Sequence, residues 1–148
     1  MGVIVYVDSS VLARAYLADA PGHEQATSLL VDLEIGLVTG TWIRIEVPGA
    51  LVRAARAGRG DEAGLLEVLD GDLGTDGSAT VVAAGQNEVV QRALHLVREH
   101  APRAMDARHV AVAILTLPSL VEPGEDAGLA TREEAQSSVA ASLGLRLV

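Results

Sequence analysis

The chain has 148 residues, 49% of them apolar, enough to bury one sizeable core. It has no Cys, which excludes disulfides, thiolate metal sites and cysteine nucleophiles; all eleven basic residues are Arg, which excludes lysine-dependent chemistry such as P-loop nucleotide hydrolysis. A net charge of −9 makes non-specific nucleic-acid binding poor, so any nucleic acid has to be held locally, by Arg or through a metal.

In chain order, Val3 to Val7 is a β-branched apolar run that stops at Asp8, the pattern of a strand buried on both faces. Ser9 and Ser10 suit a helix cap, and VLARAYL follows at helical spacing. Asp8 is then placed at the carboxyl end of a central strand beside a helix amino terminus, where open α/β sheets hold their sites. As a bland alternative, Asp8 is a strand-end or cap residue and nothing more. A second helix spans 21–33 and a short strand 36–41. A third helix starts between Ile43 and Val47, with Pro48 in its first turn, and ends at Gly58 and Gly60. Further expected elements are a helix over 62–73, a loop over 71–77, a strand over 79–84 and a helix over 87–98. Pro102 breaks the pattern before an apolar helix over 105–117. A loop over 118–128, a strand over 129–131, a helix over 133–142 and a strand over 145–148 complete the chain. Alternating strands and helices imply one α/β domain with a parallel sheet and right-handed crossovers. No apolar run is long enough for a membrane span and Asp8 interrupts the first too early for a signal peptide, so a cytoplasmic protein without membrane contact is expected.

Charge is uneven. Residues 42–60 carry four Arg against Glu46, while 61–88 carry seven acids and no Arg. Three acids stand beside apolar elements: Asp8, Glu46 in WIRIEVPGAL and Asp106 in RAMDARHVAVAI. Carboxylates there cost free energy unless paired, hydrogen-bonded or bound to a cation. With no Lys available, a hard divalent ion with oxygen ligands is a natural partner. Taken singly, each acid reads first as a helix-start residue favoured by the dipole; together, in this order, the functional reading gains.

VYVDSSVL, IEVPGAL, RAMDARHVAVAI and LATREE…LGLRLV, in that order, resemble a PIN-domain ribonuclease of the VapC type, the toxin of a toxin–antitoxin pair. The resemblance covers essentially residues 1–148 as one PIN domain. It implies a central parallel sheet of about five strands flanked by helices. It also implies Mg²⁺- or Mn²⁺-dependent endonucleolytic cleavage of RNA, a cognate antitoxin and a homodimer. The family's acids, which bind metal and carry catalysis, fall on Asp8, Glu46, Asp106 and Glu133, with Ser10 as the accompanying hydroxyl. The fourth family acid is usually Asp, and the interval from Asp106 is lengthened here. Glu125, Asp126 and Glu134 therefore stand as rivals to Glu133.

His109, three residues after Asp106, shares its helix face and is read first as a packed histidine, second as a catalytic one. Trp42 suits packing or base stacking. Arg53 and Arg56 suit phosphate contact or a solvated face, and Arg44 and Arg108 are the expected RNA-steering residues. Two other functions stay open: a PIN fold that binds RNA or protein without cutting, and an adhesion-type D-x-S-x-S module. The latter is weakened by Leu12 where its last Ser should stand.

Overall fold

Val3, Val5 and Val7 point to one side of the sheet and Ile4 and Tyr6 to the other, so a single five-residue strand, β1 (Val3–Val7), feeds two separate cores. The structure, a computed structural model, describes residues 2–131, 141 and 145–148. After β1 come α1 (Ser9–Tyr16), α2 (His23–Val31), β2 (Ile35–Gly40), α3 (Ile43–Arg56) and α4 (Glu62–Asp72). β3 (Ala79–Val82), α5 (Gln86–His100), α6 (Ala104–Leu120), β4 (Asp126–Ala130) and β5 (Arg146–Leu147) follow.

All pairings are parallel and the strand order is β3-β2-β1-β4-β5, which bears out the α/β sheet of about five strands expected from sequence. The first core packs Leu12, Leu37, Val47, Leu51 and Leu69 under α1 to α4. The second packs Val38, Leu96, Val110, Leu117 and Leu129 under α5 and α6. With helices covering both faces, β1 has to be apolar throughout, as its sequence is.

The order of strands positions the site. From β1 the chain winds outward through β2 and β3, then returns to β4 on the other side of β1. The carboxyl ends of β1 and β4 therefore flank the point where winding reverses, the crevice that open sheets use for ligands.

Two boundaries differ by more than two residues from the sequence expectation, and one proline lies deeper in its helix than expected. Helix α3 starts at Ile43, the early limit of the expected range, so Pro48 lies in its second turn, not its first. There its missing N–H forfeits one intrahelical bond, which burial of Ile43, Val47 and Leu51 outweighs. Helix α6 runs through Pro118 to Leu120, where a loop was expected. Near a helix end a proline removes only one late bond. Strand β4 begins at Asp126, not at 129, although Asp, Ala and Gly are poor strand formers. Residues 126–128 are in register with Val3, Ile4 and Val5, and that pairing overrides propensity. The helix expected over 133–142 lies almost wholly outside the described residues.

Candidate active site

Asp8 is built into the fold from four directions. Its backbone N–H donates to the Ala130 carbonyl at 3.2 Å, tying β1 to β4 just past their last paired residues. Its side chain is the N-cap of α1: Oδ1 accepts from the Val11 N–H at 3.0 Å and from Ser10 Oγ at 2.7 Å. Thr131, one residue beyond β4, donates to Oδ2 at 2.6 Å. Asp8 is only 1% exposed, so these three donors stand in for the water its carboxylate has lost. Asp8 is thus both cap and site candidate, and Ser9 and Ser10, expected as caps, are instead the first residues of the helix.

Glu46 enters the same region from the first turns of α3. Its Oε1 faces His109 Nε2 at 2.8 Å and an Arg108 guanidinium nitrogen at 3.4 Å, and its Oε2 accepts from Ser9 Oγ at 3.1 Å. Burial pushes the Glu46 carboxyl up, but the bond and charge of His109, the Ser9 hydroxyl and the Arg108 charge together hold it below its ordinary value. His109 is itself 3% exposed, and its Nδ1 lies 2.8 Å from the hydroxyl of fully buried Tyr6. In the neutral imidazole the Tyr6 O–H donates to Nδ1 and Nε2–H donates to Glu46; in the charged imidazole, whose charge helps hold Glu46 down, both nitrogens donate. The reverse tautomer would aim a nitrogen lone pair at a carboxylate. Burial keeps the Tyr6 hydroxyl protonated, its pKa well above the usual tyrosine range. Gly40 admits this arrangement, since a Cβ there would stand 2.7 Å from the Tyr6 oxygen.

Glu46, Asp106, Ser9 and Ser10 line one cavity of about 510 Å³, with Arg53 at its wall; Asp8 adjoins it through the Ser10 hydroxyl. Three of the predicted site acids, Asp8, Glu46 and Asp106, and the predicted Ser10 are therefore brought to one end of the sheet. Carboxylate and hydroxyl oxygens are the donor set a hard divalent cation takes. Among the described residues, no three acids or histidines stand close enough to enclose an ion as they are. Glu133 and its rival Glu134 lie outside the described residues. The other rivals, Glu125 and Asp126, are removed by register. Asp126 pairs with Val3 at the amino end of the sheet, where it meets Arg146 at 3.6 Å, and Glu125 accepts from the Glu122 N–H at 3.2 Å.

Among the arginines, Arg108 touches the site while Arg44 reaches instead for the Leu73 carbonyl at 3.5 Å, and Arg56 faces Glu62 at 3.8 Å. Sequence reasoning placed His109 on the right helix face but missed its partner. It also missed Tyr6, whose only signal was one hydroxyl inside an otherwise aliphatic strand. Ser9 reads from sequence only as a cap, and nothing local marks Thr131 as a partner of Asp8.

A five-stranded parallel sheet flanked by six helices among the described residues, with acids gathered at its switch point, defines a PIN-like α/β domain. Among solved structures, a chain in the crystal structure of VapBC2 from Rickettsia felis, bound to a DNA fragment from their promoter, is similar in fold. The TM-score is 0.62 at 10% identity, over 99% of this chain and 98% of that one. At that identity the likeness is one of fold. No protein-family model and no curated protein sequence matches the chain. Among the described residues no helix is long and apolar enough to cross a membrane.

Proposed function

We propose that this chain is a metal-dependent endoribonuclease, the toxin of a cytoplasmic toxin–antitoxin pair. The observation that carries the proposal is that Glu46 and Asp106 line one cavity at the carboxyl end of the sheet, with buried Asp8 adjoining it through the Ser10 hydroxyl, the three acids coming from separate segments. The fold likeness to a VapBC2 chain and the sequence resemblance to VapC-type PIN domains point the same way.

Asp8, Glu46, Asp106 and Glu133 are the residues that would hold Mg²⁺ or Mn²⁺. When bound, such an ion offsets charge on the scissile phosphate and lowers the pKa of water. The chain's own residues prepare the rest. Ser10, Thr131 and the Val11 N–H fix both oxygens of Asp8. Ser9 and His109 fix one oxygen each of Glu46, so neither carboxylate has to be ordered when RNA arrives. Asp8 or Asp106 orients the attacking water and accepts its proton. Arg53 and Arg108 supply positive charge beside an otherwise acidic cavity. In-line attack leaves a 5′-phosphate and a 3′-hydroxyl. A cognate antitoxin that covers the acidic cavity, and a homodimer, complete the proposal.

A second reading, a PIN fold that binds RNA or protein without cutting, is favoured by one observation: Glu46 already has His109, Arg108 and Ser9 as partners. One experiment separates the two. Purified protein is incubated with mixed cellular RNA in Mg²⁺ or Mn²⁺, then in EDTA, beside Asp8→Asn. Discrete fragments that need metal and vanish in the variant support the nuclease. Absence of cleavage by folded, antitoxin-free protein moves the assignment to the binding module.

A further inference from the structure

A second cavity, of about 280 Å³, lies where the end of β3, the start of α5 and the start of α3 meet α6. It is smaller than the roughly 300–1,000 Å³ of pockets for drug-sized molecules, which leaves room for one small ring system. Trp42, the N-cap of α3, and Arg108, in α6, both present surface to it. The Arg108 guanidinium lies 3.8 Å from the centre of the Trp42 ring, a cation–π stack, and the indole is nevertheless 46% exposed. Val82, Val89 and Val112 form apolar walls, and Thr41 and Gln86 bring polar groups.

Arg108 links this cavity to the acids. The guanidinium that stacks on Trp42 also reaches Glu46 at 3.4 Å. We infer that the cavity is a nucleobase subsite, taking one unstacked base of a single-stranded RNA whose backbone runs past Glu46. The inference rests on the nuclease proposal for the direction of the strand, not for the binding itself. The chemistry selects a base over an aliphatic side chain of a protein partner. Indole and guanidinium are both flat surfaces that stack with heteroaromatic rings. The Thr41 hydroxyl and Gln86 amide can hydrogen-bond a base edge. The Arg108 charge complements the attached phosphate, on a chain whose net charge of −9 would otherwise repel it.

Trp42 is the chain's one tryptophan, so its fluorescence reports this cavity and its contact with Arg108. The test titrates the wild-type protein, in EDTA so that no cleavage occurs, with a short single-stranded RNA hexamer. A hexamer of the same charge with abasic sugars serves as the control. Saturable quenching of Trp42, with the abasic hexamer bound roughly five- to 150-fold more weakly, is the expected result. Equal binding of the two hexamers, or RNA binding that leaves Trp42 emission unmoved, overturns the subsite and leaves the cavity to a protein side chain. Trp42→Leu, checked for folding by circular dichroism, should lose the preference for the base-bearing hexamer; retention of that preference also overturns the subsite. The two proposals fail separately. Base-dependent quenching without metal-dependent cleavage keeps the subsite and removes the nuclease, whereas metal-dependent cleavage without base-dependent quenching does the opposite.

Discussion

Strands β1 and β4 lie side by side, and this pair has an acid at each end. At the amino end Asp126 is exposed and faces Arg146 at 3.6 Å, in a pair whose side chains are both more than half exposed. At the carboxyl end Asp8 is buried, and the donors that reach its carboxylate among the described residues are Ser10, the Val11 N–H and Thr131, none of them a cation. The first acid is solvated, and pairs of its kind contribute about 0–1 kcal/mol. The second would cost several kcal/mol were its donors removed, because an unpaired carboxylate in the interior has lost its hydration. Acids of one charge on one pair of strands thus differ in what surrounds them. Only the carboxyl-end acid sits in an environment assembled from α1, β1 and the residue after β4.

The sharpest way to break this contrast is to neutralise each end in turn. Asp8→Asn should lower metal-dependent RNA cleavage by about 10²–10³-fold, the scale of removing one preorganised electrostatic group. It should leave circular dichroism unchanged, because the Asn carbonyl still caps α1. Asp126→Asn should leave cleavage as it is, and equal losses at the two ends would remove the distinction between them. Next in size, Tyr6→Phe strips the buried His109 Nδ1 of its hydrogen-bond partner. A urea titration should show a loss of about 1–3 kcal/mol, the cost of an unsatisfied buried group.

Acid provides a third probe, run in EDTA. The Glu46 carboxyl is held below its ordinary 4.5 by His109, Ser9 and Arg108 acting against its own burial. Between that depressed value and 4.5 the folded chain binds fewer protons than the unfolded chain, so stability falls as pH drops through the window. Glu46→Gln lacks this contribution. Its urea midpoint should move less than that of wild type between about pH 6 and about pH 3. The smallest expected effect is at the amino end, where Arg146→Ala should change stability by no more than about 0.5 kcal/mol.

Much of this layout was legible in the sequence because its causes are local. An apolar β-branched run marks β1, and an acid followed by Ser-Ser and a helical apolar stripe marks a cap at the sheet's carboxyl end. The failures are instructive in the same terms. Pro48 and Pro118 interrupt helices by local rules, yet α3 and α6 continue through them, since both helices bury their apolar stripes against the sheet. Glu125 and Asp126 looked like rivals for the site by their spacing from Asp106. Register with Val3 sends them to the far end of the sheet, and no local pattern encodes register between strands more than a hundred residues apart.

The sequence by itself determined a parallel α/β domain, the place of Asp8 at the end of its first strand, and the candidacy of Glu46 and Asp106, because periodicity, capping and the cost of an acid beside an apolar run act over a few residues. Tertiary structure alone decided that Tyr6 and His109, 103 positions apart, order the proton facing Glu46, and that Thr131 closes on Asp8 from 123 positions away. Those contacts exist only once β4 returns beside β1 and α6 packs across them. Hydrogen bonds of that kind depend on donor and acceptor meeting within about 3 Å, a condition set by packing and not by composition.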